Sequence, residues 1–287
     1  MKIAITGSDG YIGRRLCSAL EREQSIELLK LSVLFKGNGF LFTDYSYDSL
    51  CGVLKGVDLV IHLAAVRSGQ SLIDFYPNFD ITENLLNAMG HCGIKKMIFM
   101  SSIAVYSDEN NLPWKESQTV NPYTLYGIGK LTCESLCMFY GKKYAITTLI
   151  LRLAPIYGPF DNNKRMIAFF MKNANENKTI LVKGKSLARR DFIFVNDVIN
   201  VLVMYINDFP QKTEIVNVGP NENHTNLEIA KLVREGFNSS SEIVYDDSNS
   251  EGICSAYMDV SRLLSKGFKP TPMLTAFVQI AKEERNV

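Results

Sequence analysis

The chain has 287 residues and is 46% hydrophobic, which is enough for a substantial core and excludes a disordered protein. Its 31 Lys and Arg balance 30 Asp and Glu, so no overall positive field exists that would attract nucleic acid or an anionic membrane. The six cysteines contain no CxxC pair and no apolar run reaches the length of a membrane span, so we expect a cytoplasmic protein with reduced thiols and no bound metal.

The first 150 residues alternate between strand-like and helix-like segments. Short apolar runs predict strands, and longer runs with helical spacing predict helices between them. The strand candidates are KIAIT at 2–6, IELLKLSVLF at 26–35, VDLVIHLAA at 57–65, KKMIFMSS at 95–102 and ITTLILRLA at 146–154. The helix candidates are residues 11–23, 81–92 and 126–143. This alternation predicts a doubly wound α/β domain, with a parallel sheet covered by helices on both faces.

The alternation loosens after Pro155. Helical patterns cover residues 165–178 and 194–207, one more strand is predicted at 214–219, and residues 239–252 have the composition of a loop. We therefore predict a first domain over residues 1–155 and a smaller C-terminal α/β lobe over residues 156–287. Some segments of the lobe are expected to return to the first domain.

Three glycines spaced by three follow the first strand, in the stretch TGSDGYIG at residues 6–13. Gly7 suits a sharp turn, Gly10 allows a pyrophosphate to approach the backbone, and Gly13 allows the helix to pack on the strand. The amides at the start of the helix, including those of Tyr11 and Ile12, favour an anion. The pattern predicts a Rossmann-type dinucleotide site, with the first domain as the binding domain and the C-terminal lobe binding mainly the substrate.

The sequence leaves the identity of the dinucleotide open between NAD(H) and NADP(H). A strong NAD site carries an acid at the end of the second strand, where it binds the adenosine ribose. Here that position offers Ser32 between apolar neighbours, and Lys30 or Lys36 could neutralise a 2′-phosphate. These residues favour NADPH, whereas Asp9 in the glycine turn argues for NAD if it points at the ribose.

A second motif combines a serine at the end of a strand with a Tyr-Lys pair on a helix. Ser102 ends the strand at 95–102, and Tyr126 and Lys130 lie four residues apart on one helix face. A nearby ammonium stabilises the phenolate, which prepares Tyr126 to exchange a proton with an alcohol or a ketone. Ser102 would hydrogen-bond the same substrate oxygen. Such a trio suits hydride transfer to or from a nicotinamide.

Taken together, these motifs resemble the extended short-chain dehydrogenase/reductases that act on nucleotide sugars, the NAD-dependent epimerase/dehydratase family. The resemblance runs from residue 1 to about residue 270. The matching stretches are TGSDGYIG at 6–13, HLAA at 62–65, Asn78 with Thr82, SSIAVY at 101–106, YGIGK at 126–130, Leu151-Arg152 through Tyr157-Gly158-Pro159, and Arg190-Asp191-Phe192 with Val195 and Asp197.

The resemblance implies roles for individual residues. Ser102, Tyr126 and Lys130 would form the catalytic triad. Asp44 would lie by the adenine and Ala64 and Ala65 near the ribose, so the expected cofactor contacts are Gly7, Gly10, Tyr11, Ile12, Gly13, Ser32, Asp44, Ala64, Ala65, Tyr126 and Lys130. The expected contacts to the nucleotide sugar are Arg67, Ser102, Pro155, Tyr157 and Arg190. A surface ion pair of Arg190 with Asp191 or Asp197 is the alternative for that residue. Relatives commonly form homodimers through the helix that carries the Tyr-Lys pair, and we expect the same here.

Departures from the family patterns narrow the reaction. Related 4,6-dehydratases carry an Asp-Glu pair where this chain has Ile103 and Ala104, and the epimerase-reductases that make GDP-fucose carry a cysteine at the position of Ala104. The side chains of Ile103 and Ala104 cannot transfer a proton, so neither dehydration nor that type of epimerisation is expected. What survives is a 4-ketoreductase that uses NADPH or a 4-epimerase that retains NAD.

The sequence favours the reductase, acting on an NDP-4-keto-6-deoxyhexose for surface polysaccharides. The missing ribose-binding acid supports it, as does Pro155, which replaces an asparagine beside the substrate and removes its amide. A non-catalytic, dinucleotide-binding regulator is a third hypothesis, and the retained trio argues against it.

Overall fold

The computed structural model describes residues 1–35, 37, 39–107, 109–161, 165–184, 186–246 and 254–285. Its strands are β1 (Lys2–Thr6), β2 (Glu27–Ser32), β3 (Phe40–Phe42), β4 (Leu59–His62), β5 (Lys96–Ser102), β6 (Thr147–Leu153), β7 (Ile156–Tyr157), β8 (Ile180–Lys183), β9 (Ile193–Phe194), β10 (Glu214–Val218) and β11 (Ile243–Asp246). Its helices are α1 (Tyr11–Leu20), α2 (Tyr47–Val53), α3 (Tyr76–Cys92), α4 (Leu125–Tyr144), α5 (Met166–Asn175), α6 (Val195–Asn207), α7 (Asn226–Gly236), α8 (Ser261–Ser265) and α9 (Met273–Arg285).

Seven of the described strands form one sheet, in the order β10-β6-β5-β4-β1-β2-β3. Every pairing from β6 across to β3 is parallel. The strand order proceeds from β1 towards one edge through β2 and β3, and towards the other from β4. The carboxyl ends of β1 and β4 therefore lie side by side, with Thr6 paired to His62. A ligand crevice forms at such a switch point. The predicted Rossmann-type fold is confirmed.

The central strands are buried because helices cover the sheet. All four residues of β4 are buried, and so are all residues of β1 except Lys2. The core beside them takes Leu50 from α2, Met89 from α3 and Cys137 from α4, each with no exposed surface. Cys133, four residues before Cys137 in α4, is buried in the same core, so both cysteines serve packing.

The chain divides into two compact units. Unit 1 contains residues 1–107, 118–153 and 199–216, and unit 2 contains residues 108–117, 154–198 and 217–287. Unit 2 holds the parallel pairs β8–β11 and β7–β9. The assignment of dinucleotide binding to residues 1–155 and of substrate binding mainly to residues 156–287 stays a prediction.

Several predicted segments differ from the observed elements. Helix α3 begins at Tyr76 rather than at residue 81, and a proline in its first turn suits that start. Strand β2 ends at Ser32 rather than at residue 35, because the pairing with β3 extends only from Lys30 to Ser32. The segment 239–252, predicted as a loop, contains β11, which pairs with β8 from a distant part of the chain.

Candidate active site

The glycine turn joins β1 to α1 in a conformation that only glycine fits well. Gly7 has φ +64°, and a Cβ at this position would lie 2.8 Å from the backbone nitrogen of Ala64. A Cβ at Gly13 would lie 2.2 Å from the Gly7 carbonyl oxygen. The sequence prediction for these two positions therefore has a steric reason, since any larger residue would push the turn away from the sheet.

The start of α1 is suited to an anion. Gly10 is the N-cap residue, with an extended backbone and no capping side chain, and the first turn contains no acidic residue. The first amides of a helix have no partner within it and carry a partial positive charge. The amides of this turn, including those of Tyr11 and Ile12, thus fit the diphosphate of a dinucleotide in charge and in hydrogen-bonding capacity.

The end of β2 gives no support to the NADPH prediction. The Lys30 ammonium lies 2.7 Å from the Glu21 carboxylate, so its charge is already paired. Ser32 is completely buried, and its hydroxyl accepts hydrogen bonds from the amides of Leu34 and Phe35. Lys36 lies outside the described residues. The cation invoked for a 2′-phosphate at Lys30 is therefore engaged elsewhere.

Asp44, the predicted adenine contact, is exposed between β3 and α2. Its Oδ1 accepts hydrogen bonds from the backbone amide and the hydroxyl of Ser46, at 2.9 and 2.7 Å. These bonds stabilise the carboxylate and hold its pKa below the usual range. Asp44 is thus a charged, accessible group in the segment that follows β3.

A neutral hydrogen-bond network supports the loop after β4. The Thr6 hydroxyl accepts from the amides of Leu63 and Ala64, at 3.2 Å each, and contacts His62 Nδ1 at 2.7 Å. The Thr82 hydroxyl donates to a backbone carbonyl, so it accepts from His62 Nε2–H and leaves Nδ1 to accept from Thr6. Burial lowers the pKa of His62 to about 3. His62 is therefore a neutral structural residue.

The same loop is clamped from α3. The Asn78 side chain accepts from the Val66 amide at 2.7 Å and donates to the Val66 carbonyl at 2.9 Å. Ala64 and Ala65, the predicted ribose contacts, are half-buried in this loop, and Arg67 at its end is exposed. The backbone beside the carboxyl end of β4 is therefore held in one place.

The predicted catalytic trio lies in unit 1 on two neighbouring elements. Ser102 ends β5, and its Oγ accepts from the Ala104 amide at 3.2 Å, so its proton remains available to a substrate oxygen. Lys130 is 8% exposed and donates to the Met100 carbonyl at 2.7 Å. The Lys130 ammonium lies 5.9 Å from the ring centre of Tyr126. The buried ammonium therefore places positive charge close to the phenol ring.

Gly127 explains how the two parts of the trio meet. A Cβ at Gly127 would lie 2.0 Å from the Ala104 carbonyl oxygen. The first turn of α4 can therefore pack directly on the short turn at 103–105 that follows Ser102. The helix start is fixed by Thr124, whose hydroxyl accepts from the Gly127 amide at 3.0 Å. Ile103 and Ala104 of the adjoining turn carry no ionisable group.

A buried ion pair below the trio was not identified from the sequence. Arg152 of β6 and Glu134 of α4 are 3% and 4% exposed and make two hydrogen bonds, at 3.0 and 2.7 Å. Ser101 donates to Glu134 at 2.5 Å, and Arg152 donates to Tyr106 at 2.9 Å. Burial alone would lower the pKa of Arg152, but Glu134 raises it above its ordinary value. The position of Glu134, four residues after Lys130, was the available signal.

The remaining predicted substrate residues lie in unit 2. Tyr157 is only 2% exposed and packs against Phe194 and Phe277, with ring centres 5.9 and 5.2 Å away. Its side chain belongs to the core, which argues against the predicted contact with a substrate. The Pro155 carbonyl accepts from the amide of Ile193 at 2.9 Å, so this proline fixes the backbone next to β9.

Arg190 is half-buried in a segment held by backbone bonds to His224 on one side. Its guanidinium donates to Asn226 Oδ1 and lies 5.3 Å from the Phe192 ring centre. The acids of the alternative ion pair have other partners: Asp191 accepts from the amide of Met258, and Asp197 from Thr271. The guanidinium is thus held by an amide oxygen and a ring.

Asp191 is an unusual buried carboxyl group. One oxygen accepts from the Met258 amide at 3.1 Å, and Oδ1 has no hydrogen-bond partner among the described residues. Burial raises the pKa of Asp191 to about 7. The group therefore titrates near neutral pH.

Two negative findings concern the described residues only. No cluster of three or more metal-ligating side chains occurs in these ranges. Across the same part of the chain, no helix is both long and apolar enough to cross a membrane.

Known proteins share this architecture over its whole length. A putative UDP-glucose 4-epimerase of Methanocaldococcus jannaschii is 29% identical over 93% of this chain and 93% of its own. The crystal structure of UDP-N-acetylglucosamine 4-epimerase from Bacillus cereus superposes with a TM-score of 0.92 at 27% identity, covering 100% of this chain and 97% of that one. The Bacillus cereus UDP-glucuronic acid 4-epimerase in complex with UDP-glucuronic acid and NAD gives 0.82 at 25% identity over 99% of each chain. The model of the NAD dependent epimerase/dehydratase family matches residues 3–219. The chain is an enzyme that belongs to the NAD-dependent epimerase/dehydratase family.

Proposed function

We propose that this enzyme is a UDP-sugar 4-epimerase that retains NAD. The observation that carries the proposal is the combination of a Ser102-Tyr126-Lys130 trio with non-ionisable neighbours. Epimerisation at C4 by oxidation and re-reduction needs one proton-exchanging side chain and a hydride carrier, and no second acid or base. The similarity to solved 4-epimerases over nearly the whole chain supports it.

The residues of the trio have distinct tasks in this proposal. The Tyr126 phenolate accepts the proton of the sugar 4-hydroxyl, and Lys130 stabilises the phenolate through its ammonium charge. Ser102 donates a hydrogen bond to the same sugar oxygen, since the bond that its Oγ accepts from the Ala104 amide does not use the hydroxyl proton. The glycine turn and the start of α1 would hold NAD, which would supply the hydride chemistry at C4 in both directions. Tyr126 then returns the proton to the oxygen of the inverted centre.

The fit to NAD depends on the glycine turn and on the start of α1. The N-cap residue Gly10 makes no side-chain cap bond and the first turn holds no acid, which suits the diphosphate. Asp44 and the backbone at Ala64 and Ala65 are the proposed contacts to the adenosine half. We favour NAD over NADP because Lys30 is paired with Glu21 and the 4-epimerase structure at 25% identity contains NAD.

The 4-ketoreductase hypothesis uses the same trio but consumes NADPH from solution. The Lys30–Glu21 pair weakens the case for NADPH, and the relatives described above are named as epimerases. Pro155 still supports the reductase, since the proline removes an amide donor beside the substrate. We therefore place the epimerase first, with a UDP-sugar as the proposed substrate.

The test is incubation of the enzyme with UDP-N-acetylglucosamine, UDP-glucose and UDP-glucuronic acid in D₂O, without added cofactor. We expect NMR to show the C4 epimer of at least one sugar, with no deuterium at C4 because the hydride returns to its own carbon. Denatured protein should release NAD. Turnover only of a 4-keto-6-deoxy sugar, with loss of NADPH absorbance, would instead establish the reductase.

The matched variants are Tyr126→Phe and Tyr123→Phe. Removal of the proton-exchanging hydroxyl should lower kcat by about 10²–10⁴-fold, the usual contribution of general acid–base catalysis. Tyr123 lies three residues earlier and is 77% exposed, so its variant should keep wild-type turnover. Full activity of Tyr126→Phe would contradict the role of Tyr126 as the proton-exchanging group.

A cytoplasmic homodimer with a role in polysaccharide biosynthesis is part of the same proposal. In α4, Met138 and Phe139 are 49% and 63% exposed, beside an open groove of about 580 Å³. Exposed apolar surface of this kind favours association. Analytical ultracentrifugation of the wild type and of Phe139→Glu measures the oligomeric state of each. A monomeric wild type would contradict the dimer.

A further inference from the structure

We propose that Tyr45 is a positioning residue for NAD, which holds the glycine turn in its binding conformation before the cofactor arrives. Tyr45 lies in the segment between β3 and α2, distant in sequence from the turn. Its side chain is 4% exposed, and its hydroxyl oxygen accepts a hydrogen bond from the Gly7 amide at 3.0 Å. The inference rests on the NAD site of the proposed function.

The backbone of Tyr45 is fixed in a conformation that residues other than glycine rarely adopt. Its φ is +59°, in the left-handed region. The Tyr45 amide donates to Thr43 Oγ1 at 3.0 Å, and its carbonyl accepts from Asn84 Nδ2 at 3.2 Å. Since bonds on both sides hold this conformation, the ring is directed at the turn by the surrounding structure.

The hydroxyl of Tyr45 provides an acceptor for the Gly7 amide, which has no partner within the turn itself. The Gly7 carbonyl accepts from the Gly10 amide at 3.0 Å, which closes the turn. The Gly7 amide points away from that bond, and a buried amide without a partner is costly. With Tyr45 as its acceptor, both polar groups of Gly7 are satisfied in the free protein.

The charge state of the Tyr45 hydroxyl also suits an anion site. Burial, with a smaller contribution from Asp9, raises the pKa of Tyr45 to about 12. The hydroxyl therefore stays neutral, whereas a carboxylate in its place would repel a diphosphate.

The position of Tyr45 links two parts of the cofactor site. Its neighbour Asp44 is the proposed adenine contact, and its hydroxyl anchors the turn at the diphosphate. One residue thus ties the two contact points together within unit 1. Preorganisation of this kind improves affinity because less order has to be created on binding.

The experiment compares Tyr45→Phe with Tyr144→Phe, using NAD alone and no sugar. Tyr144 also uses its hydroxyl inside unit 1, where it donates to Asn87 at 2.8 Å, but it lies in the last turn of α4. On nucleotide-free protein, calorimetry should show about tenfold weaker NAD binding for Tyr45→Phe and an unchanged Kd for Tyr144→Phe. At saturating NAD, kcat of the control variant Tyr144→Phe should stay within twofold of wild type.

A merely structural role would lower the melting temperature of Tyr45→Phe and leave its NAD affinity within twofold of wild type, which would overturn the proposal. Failure of the 4-epimerase assay does not affect this readout, because binding is measured without sugar. A wild type that binds no NAD overturns it as well.

Hydrogen exchange of the wild type provides a test without any variant. In nucleotide-free protein, the Gly7 amide should already be protected, and Tyr45→Phe should remove that protection. A Gly7 amide that exchanges freely in the wild type until NAD is added would contradict preorganisation by Tyr45.

Discussion

The glycine turn in unit 1 and the Arg190–Asp191 segment in unit 2 both bury polar groups, but they satisfy them differently. Around the turn, the partners are neutral: Tyr45 accepts from Gly7, and Thr6 bonds to the neutral ring of His62. In the other segment, Asp191 is buried with one carboxylate oxygen lacking a partner in the described structure. The first region is therefore insensitive to pH near neutrality, and the second is not.

The two regions therefore differ in the charge that they carry and in their response to pH. A neutral network can support an anion site without adding charge to it, which suits the turn that we propose for the diphosphate. A buried carboxyl group near its titration point links the folding of unit 2 to pH.

The largest effect concerns the ion pair below the trio, the charged exception in unit 1. Arg152→Met leaves Glu134 as an uncompensated buried charge, which should lower the free energy of unfolding by about 3–5 kcal/mol. Urea denaturation measures the loss. The double variant Arg152→Met, Glu134→Leu removes both charges and should recover most of it. A single variant within about 1 kcal/mol of wild type would contradict the importance of this pair.

The second prediction concerns the pH dependence that Asp191 confers. Its pKa is about 7 in the folded protein, above the unfolded value. The folded state therefore binds more protons between about pH 4 and 7, and the free energy of unfolding should fall through this range, by about 4 kcal/mol in total. Above pH 7 the contribution is constant.

Asp191→Asn should remove this slope, which urea titrations at several pH values measure. Asp44 in unit 1 has the opposite sign: its pKa is lowered, so its smaller contribution is lost as the pH falls below the unfolded pKa. An unchanged slope in Asp191→Asn would show that another group causes the dependence.

The third prediction tests the steric argument at the turn. Gly13→Ala places a methyl group 2.2 Å from the Gly7 carbonyl oxygen, so the turn must shift and NAD binding should weaken by about 100-fold, or about 3 kcal/mol. The control is Gly52→Ala in α2, where a methyl group meets nothing within 4 Å. It should stabilise the fold by about 0.5–1 kcal/mol with unchanged NAD affinity. Equal affinities would contradict the argument.

The smallest expected effect is that of removing a helix cap, and the same Thr→Ala substitution can be made in each unit. Thr124 caps α4 and Thr225 caps α7, each through a hydroxyl that accepts a backbone amide. Each Thr→Ala change should cost about 1 kcal/mol of stability. Only Thr124→Ala should also reduce kcat, by a few-fold, since α4 carries Tyr126 and Lys130. A similar loss of kcat in Thr225→Ala would break the distinction between the two units.

Much of the first unit was predictable because its signals are local. The spacing of Gly7, Gly10 and Gly13, the apolar strand runs and the pair Tyr126-Lys130 each span only a few residues. The strands β3, β8 and β11 were not predicted, because short strands depend on a partner that is distant in the chain.

Partners distant in sequence also decided the cofactor argument. The residues near Ser32 favoured NADPH, but the sequence does not reveal that Lys30 pairs with Glu21 or that Ser32 is buried. The same holds for Tyr157, which a motif match marked as a substrate contact and which the structure buries in the core of unit 2.

The sequence by itself determined the fold class and predicted a dinucleotide turn and a catalytic trio, because backbone sterics and helical spacing are properties of neighbouring residues. Only the tertiary structure decided which polar groups are satisfied: Tyr45 at Gly7, Arg152 at Glu134, and Asp191 with an oxygen left over. Hydrogen bonds and burial join residues separated by tens of positions, and their energies depend on the surroundings that folding creates.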